Sequence, residues 1–151
     1  MTLSDAVSYA TLASMVTAAF GVWWGVKTYR GQMNAQLFLA FTHRYEDLMR
    51  DSPEFRKWRL NSVATPAELT EDLRASILAY LNLCSEEYYL WCNGYLDRAI
   101  WQVWSHELER TIRSDLIRRE WPNLKSEFQS YGHFCEYIDR AHLDDAAMSP
   151  R

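Results

Sequence analysis

Two adjacent carboxylates in the stretch "CSEEYYLWC" are the best candidates for acid–base chemistry in the sequence. Glu86 and Glu87 stand among aromatic residues, where desolvation would raise the proton affinity of a carboxyl group. Successive residues of an α-helix point about 100° apart, so at most one of the two can lie near a core. In the structural alternative, which we favour, one glutamate is solvated and the other pairs with an arginine such as Arg98 or Arg110.

The histidines and cysteines lack the spacing of a metal site or of a nucleophilic catalyst. His106 opens the stretch "HELER", but an H-E-x-x-H zinc helix would need a second histidine where Arg110 stands. The sequence contains no phosphate-binding glycine loop, no G-x-S-x-G elbow and no C-x-x-C pair. We therefore expect no enzymatic activity, no metal and no cofactor. The other residues considered are His43, His133 and His142, without ligand-like spacing, and Cys84, Cys92 and Cys135, interpreted as buried thiols of a reducing compartment.

Composition predicts one domain made of long helices. The chain has 151 residues, which is enough for a core without metal or disulfide crosslinks. It contains seven Trp and nine Tyr but only five Gly and four Pro, and so few turn-forming residues argue against a sheet protein. The net charge of −4 offers no basic surface for a nucleic acid.

The segment from Ala6 to Val26 is predicted to cross a membrane. It contains no charged residue, and its 21 residues match the roughly 30 Å hydrocarbon thickness of a bilayer. A cleaved export signal would need a basic start, which "MTLSD" lacks, and a small-residue cleavage site where Trp23 and Trp24 stand. A core helix of a soluble protein, the other alternative, would normally show a polar side.

Charge around this segment predicts its orientation in the inner membrane. Lys27, Arg30, Arg44 and Arg50 follow the apolar run, so the positive-inside rule places the amino terminus outside and the remaining chain in the cytoplasm. Residues expected to anchor the cytoplasmic interface are Trp23, Trp24, Lys27, Tyr29 and Arg30. Basic residues that could also meet anionic lipid head groups are Lys27, Arg30, Arg44, Arg56, Lys57 and Arg59.

Small residues recur every four positions along the predicted membrane helix and predict an interface with another helix. The row consists of Ala13, Thr17, Gly21 and Gly25, and it ends in a G-x-x-x-G motif. Small side chains let a second helix backbone approach closely. The partner is either another membrane protein or a second copy of this chain.

The chain after residue 30 shows helical periodicity interrupted by clear stop signals. Gln32 to Arg50 is predicted to continue the membrane helix, with Gly31 as the likeliest bend, and "DSPEF" ends it. "TPAE" from Thr65 predicts the next start, and "NG" at Asn93 predicts its end. Later helices are predicted over 97–114, 115–121 (broken by Pro122) and 123–140, before a polar tail expected to fray.

The predicted architecture is all-α: one N-terminal transmembrane helix (about 6–26) followed by a small cytoplasmic bundle of three to four helices. The corresponding domains are 1–30, 31–142 and a polar tail, 143–151. Within the bundle, Trp91, Trp101 and Trp104 could line a pigment or quinone pocket, although residues at this spacing more often belong to a core.

The layout resembles a widespread family of uncharacterised bacterial single-pass membrane proteins. The resemblance rests on "SPEFR" after a basic juxtamembrane helix, then "EEYYLWCNGYLDRAIWQVW" and a closing "PNLKSEFQSYGHFCEYID". The family is defined by a domain of unknown function, so the resemblance implies a fold and a location but no activity.

These observations lead to one expected function and one alternative. We expect a non-catalytic accessory subunit that docks on and stabilises a larger membrane complex, with a bioenergetic complex as a reasonable host. The alternative is a self-associating membrane sensor or adaptor whose bundle binds a cytoplasmic partner or small molecule. An enzyme with an unrecognised site ranks last.

Overall fold

The computed structural model describes residues 3–60 and 68–148, and every regular element in these two ranges is helical. This confirms the all-α prediction of a long apolar N-terminal helix followed by a small helical bundle. The elements in chain order are α1 (Leu3–Asp51), α2 (Pro53–Leu60), α3 (Glu71–Cys92), α4 (Arg98–Ile112), α5 (Asp115–Leu124), a 3-10 helix (Lys125–Tyr131) and α6 (Gly132–Met148).

The chain divides into two compact units, Met1–Leu37 and Phe38–Arg151. The first contains the apolar part of α1, and the second contains the end of α1 together with all later helices. α1 is continuously helical through Gly31. It ends at Asp51 because Pro53 disfavours helical backbone at the residue before it, as the sequence predicted. α2, which begins at that proline, was not predicted.

α3 begins later than the sequence predicted. Thr65 and Pro66 lie outside the described residues, and the helix starts at Glu71 with Thr70 as its N-cap. The Thr70 hydroxyl accepts a hydrogen bond from the Leu73 backbone N–H at 3.2 Å. It also donates to the Glu54 carboxylate of α2. This cross-helix bond depends on tertiary structure, so periodicity alone could not have selected Thr70.

The connection between α3 and α4 follows the predicted turn chemistry. α3 ends at Cys92 with Asn93 as its C-cap, and Gly94 has φ +71°. A left-handed backbone conformation at this position suits glycine because it has no Cβ. α4 then begins at Arg98, within one residue of the start of the helix predicted over 97–114. The predicted stop at Asn93 is therefore confirmed.

The last third of the chain differs from the prediction around Pro122. α5 continues through this proline to Leu124 instead of breaking before it. A 3-10 helix follows, in which Phe128 has non-helical φ and ψ of −108° and 17°, so no single helix spans 123–140. Phe128 is buried at this kink, and the requirement to bury it outweighs helical continuity. α6 starts at Gly132 and continues to Met148, so residues 143–148 of the predicted tail are helical.

The core of the bundle draws side chains from α2 through α6. The Trp121 indole N–H donates to Asp139 Oδ1 at 2.8 Å, and Lys125 Nζ lies 2.6 Å from Asp139 Oδ2. These bonds tie α5 and the 3-10 helix to α6. The largest fully buried side chains include Phe55, Ile77, Leu81, Leu108, Ile112, Ile117, Leu124, Phe134 and Ile138.

Candidate functional site

The apolar part of α1 is exposed. One helix in the described part of the chain, Val7–Asp51, is long and apolar enough to cross a membrane, with a mean hydropathy of 1.2 over its most apolar 18 residues. Core helices of soluble proteins and signal sequences pass the same test of length and composition. None of that window is buried, whereas a core helix would be mostly buried. The exposed side chains include Val16 and Val22, each more than two-thirds exposed.

The small-residue row lies on this exposed stretch. A Cβ atom added to Gly21 or Gly25 would meet no atom within 4 Å, so there is open space beside both glycines. The Thr17 hydroxyl donates to the Ala13 carbonyl at 2.8 Å, and the hydroxyls of Thr11 and Ser14 donate in the same way at 2.9 Å. Internal bonds of this kind remove the need for water at these hydroxyls.

The predicted anchors cluster at the carboxyl-terminal end of the apolar run. The rings of Trp23 and Trp24 have centroids 5.6 and 6.2 Å from that of Phe20. Lys27 Nζ lies 5.4 Å from the centroid of the Trp23 ring, within cation–π range. The remaining two predicted anchors, both exposed, are Tyr29 and Arg30.

A cavity of about 220 Å³ lies inside the second unit, where four helices meet. Trp104 forms one wall, with its ring centroid 5.4 Å from that of Phe41. Tyr80 also lines the cavity and is buried, and its hydroxyl shares a 3.2 Å hydrogen bond with the Thr111 hydroxyl. The lining comprises Phe41, Thr42 and Tyr45 of α1, Arg59 of α2, Tyr80, Leu83, Cys84 and Glu87 of α3, and Trp104 and Glu107 of α4.

Arg59 supplies the cation of this cavity, and its side chain is only 4 % exposed. Its Nη2 donates to Glu107 Oε2 at 2.9 Å and to the Glu107 carbonyl at 3.3 Å. The guanidinium carbon lies 5.7 Å from the centroid of the Tyr80 ring. Among the residues that the structure describes, none accepts a hydrogen bond from Arg59 Nε. Nε is itself shielded from any water-sized molecule, and a buried donor left unsatisfied costs about 1–3 kcal/mol.

Glu87 supplies a second polar group, from the face of α3 that also carries Tyr80 and Cys84. Glu87 is only 7 % exposed, and burial raises the pKa of its carboxyl group from 4.5 to about 8. The nearby Arg44 guanidinium opposes this rise, and the neighbouring Glu86 carboxylate adds to it. At neutral pH the carboxyl group is therefore mostly protonated and can donate through its O–H.

Glu86 and Glu87 thus have the different environments that helix geometry requires. Glu86 forms a two-point ion pair with Arg44, in which Nη2 lies 3.2 Å from Oε1, and hydrogen bonding to Glu86 raises the pKa of Arg44. The expectation of Arg98 or Arg110 as the partner is wrong. Arg110 pairs instead with Glu107 at 2.7 Å, because the two residues lie three positions apart on the same face of α4. Glu87, the other glutamate, is buried and not solvated as expected.

Cysteine and histidine contribute little chemistry to the described part of the chain. Cys84 and Cys135 are buried thiols, as predicted, but Cys92 is exposed. Burial raises the pKa of the Cys84 thiol well above its usual value, which keeps it protonated and unreactive. Within 3–60 and 68–148, no three His, Cys, Asp or Glu side chains are grouped to hold a metal ion.

Sequence reasoning missed Arg59 as a member of the site. The prediction that Arg59 contacts anionic lipid, together with Arg56 and Lys57, is wrong for Arg59. Its side chain is buried, while those of the other two residues are exposed. The available signal was helical spacing: Phe55, Trp58 and Arg59 occupy positions i, i+3 and i+4 of α2 and share one face. If Phe55 is assigned to the core, Arg59 on the same face of the helix is expected to be buried as well.

Comparison with known proteins identifies no relative. Neither family models nor curated proteins nor solved structures show a match to this chain. The resemblance to uncharacterised bacterial membrane proteins therefore stays a prediction, and functional inference rests on the geometry described above.

Proposed function

We propose that this chain is a non-catalytic, single-pass membrane subunit that docks on and stabilises a larger membrane complex, such as a bioenergetic complex. The proposal rests chiefly on the exposure of the apolar part of α1, where the most apolar window contributes no buried residue. A contiguous apolar surface of this kind marks a membrane or protein contact. The bundle of the second unit then lies in the cytoplasm and the amino terminus outside, in agreement with Lys27 and Arg30.

Two features of the helix support docking on another helix in the bilayer. Open space beside Gly21 and Gly25 allows close approach of a second backbone, which is how membrane helices associate when burial of apolar surface adds nothing. The hydroxyl of Thr17, in the same row, is already bonded to a carbonyl of its own helix, so its burial in lipid or against a partner leaves no unsatisfied donor.

The anchors support placement of the carboxyl-terminal end of the apolar run at a lipid head-group layer. Trp23 and Trp24 are amphipathic rings of the kind enriched at membrane interfaces, and Lys27 over the Trp23 ring adds a cation at the same level. Contact with anionic lipid at Lys27 and Arg30 contributes about 1 kcal/mol per residue near the membrane surface.

The test is extraction from native membranes in a mild detergent, followed by size separation and identification of co-migrating proteins. The variants Gly21→Leu and Gly25→Leu should release the chain from its complex and leave its membrane insertion intact. Ala19→Leu is the matched control, because it adds a similar volume two residues before Gly21, about 200° of helical rotation away from that glycine. Recovery in the soluble fraction after an alkaline wash would refute membrane insertion, and equal co-migration of all variants would refute docking through this face.

A second candidate is favoured by the cavity of the second unit. A self-associating membrane sensor or adaptor needs a bundle that recognises a small molecule or a cytoplasmic partner, and Arg59 and Glu87 provide buried polar groups for recognition. The same experiment separates the candidates. Migration as a homodimer that Gly21→Leu dissociates supports the sensor, whereas stoichiometric migration with a large assembly supports the subunit.

A further inference from the structure

We propose that the cavity lined by Arg59, Glu87 and Trp104 binds a small zwitterion, an α-amino acid with an apolar side chain. The cavity lies wholly within the second unit, so the proposal does not depend on what α1 docks on. It rests on two buried polar groups of the cavity wall that lack a partner, on the spacing of these groups, and on the walls and size of the cavity.

Arg59 offers one guanidinium nitrogen to a ligand. Both of its hydrogen bonds to Glu107 use Nη2, and no residue that the structure describes accepts a hydrogen bond from Nη1. Among the described residues, Arg59 Nε is the only buried side-chain nitrogen or oxygen that is both shielded and unpaired. Nη1, which is also unpaired, is therefore not shielded. A carboxylate suits this donor best, because a hydrogen bond between two charged groups is stronger than one between neutral groups.

The Glu87 carboxyl group is the second unpaired group of the cavity wall. The residue is only 7 % exposed, and within the described part of the chain it forms no hydrogen bond and no ion pair. Its oxygens are not shielded, since Arg59 Nε alone has that property. A ligand ammonium would supply both a hydrogen bond and a compensating charge. This holds for either protonation state of the empty cavity, because a nearby ammonium favours the ionised carboxylate.

The charges around the cavity are consistent with a ligand of no net charge that carries both signs. Arg59 and Arg110 share the Glu107 carboxylate, which leaves one positive charge that ionised Glu87 balances. A zwitterion keeps this balance. An amine alone would leave Arg59 Nη1 without an acceptor, and a carboxylate alone would leave Glu87 without a cation. The charged and titratable groups that face Glu87 from the surrounding helices are Arg44, Tyr45, Arg59, Tyr80, Cys84, Glu86 and Glu107.

The spacing of the two unpaired groups suits an α-amino acid. Arg59 lies close enough to Cys84 of α3 to act on it electrostatically, and Glu87 follows Cys84 by three positions on the same face of that helix. Residues three positions apart on a helix have Cβ atoms about 5–6 Å apart. The ammonium and carboxylate of an α-amino acid are attached to one carbon, so with a hydrogen bond of about 2.9 Å at each end they bridge a gap of this length.

The walls and the size of the cavity define the side chain of the ligand. The rings of Phe41, Tyr45, Tyr80 and Trp104 and the side chain of Leu83 line a volume of about 220 Å³. At about 30 Å³ for each molecule of liquid water, this is room for roughly seven waters or for one small amino acid. Apolar walls favour an apolar side chain, and we therefore take leucine as the representative ligand.

The test uses the full chain in phosphatidylcholine nanodiscs and saturation-transfer NMR of three probes with the same branched side chain. Leucine carries both charged groups, 4-methylpentanoate lacks the ammonium, and 3-methylbutylamine lacks the carboxylate. We expect leucine to bind with a dissociation constant of about 1 mM or below, and at least about tenfold more tightly than the other two, because each of these loses a charge-assisted hydrogen bond. Equal binding of either analogue, or no saturable binding of leucine up to about 10 mM, would overturn the proposal.

Two variants assign the charged groups of the ligand to their partners. Glu87→Gln should weaken leucine binding about tenfold and leave 4-methylpentanoate binding unchanged, because only leucine presents an ammonium to Glu87. Arg59→Met should weaken leucine binding by a similar factor and leave 3-methylbutylamine binding unchanged, because that probe has no carboxylate for Nη1. In Arg59→Met the Glu107 carboxylate keeps its pair with Arg110.

The matched controls are Glu127→Gln and Arg56→Met, two exposed changes that should bind leucine as the wild type does. A loss of affinity in Glu87→Gln that is equal for leucine and 4-methylpentanoate would show a structural effect and overturn the assignment of the ammonium to Glu87. If Arg59→Met fails to fold, Glu87→Gln tests the proposal on its own. Leucine binding to Glu87→Gln as tight as to the wild type would overturn it.

Discussion

Replacement of Glu87 by Gln should remove much of the pH dependence of folding stability near neutral pH. Glu87 has a pKa of about 8 in the folded chain against 4.5 as the ordinary value, so the folded state keeps a proton that the unfolded state has released between these limits. Stability contributed by this proton is fully present below about pH 4.5 and is lost as the pH rises through about 8. This pKa difference of about 3.5 corresponds to roughly 5 kcal/mol of folding free energy in total.

The measurement is urea unfolding of the full chain in a mild detergent, followed by tryptophan fluorescence, at about pH 5.5 and pH 7.5. Between these two pH values the free energy of unfolding of the wild type should fall by about 3 kcal/mol through Glu87 alone. This corresponds to a shift of roughly 1 M in the urea midpoint. Glu87→Gln should lack this loss. Contributions from groups other than Glu87 are shared by the two proteins, so they cancel in the difference.

Glu127→Gln, an exposed change in the 3-10 helix, is the matched control and should retain the wild-type pH dependence. Identical pH dependence of the wild type and Glu87→Gln would show that Glu87 is ionised in the folded chain at neutral pH. That result would refute the desolvation argument.

Three further predictions test the packing of the bundle by urea unfolding. Phe55→Ala should cost about 3–5 kcal/mol because the ring is fully buried against Tyr80, with centroids 5.5 Å apart, and a loss under about 1 kcal/mol would contradict this packing. Gly94→Ala should cost about 1 kcal/mol because its φ is +71°, and an unchanged midpoint would argue against the left-handed turn. Trp121→Phe should cost about 1–2 kcal/mol through loss of the 2.8 Å bond to Asp139, and a more stable variant would contradict that bond.

The helical elements of the bundle could be predicted where local chemistry decides them. The end of α1 before Pro53 and the stop at Asn93 and Gly94 follow from backbone preferences of proline and glycine, which act within a few residues. The start of α3 could not be predicted in this way. Thr65 and Thr70 are both N-cap residue types, and the bond of Thr70 to Glu54 exists only once α2 packs beside α3.

The region around Pro122 shows a second limit of local reasoning. Proline inside a helix removes one hydrogen bond and crowds the preceding turn, so a break was the sound prediction. α5 nevertheless continues through it, because Trp121 and Leu124 on either side are buried in the core. The irregular backbone appears later, at Phe128, where a buried ring fixes the position of the kink.

The sequence by itself determined the helical class, the apolar stretch with its small-residue row, and the rule that only one of Glu86 and Glu87 can face the core. Each of these depends on composition or on the 3.6-residue helical period. Only the tertiary structure decided that Glu87 is the buried glutamate and that Arg44 pairs with the other. The cavity around Arg59 was equally invisible in the sequence, because its walls come from four helices whose approach depends on long-range packing.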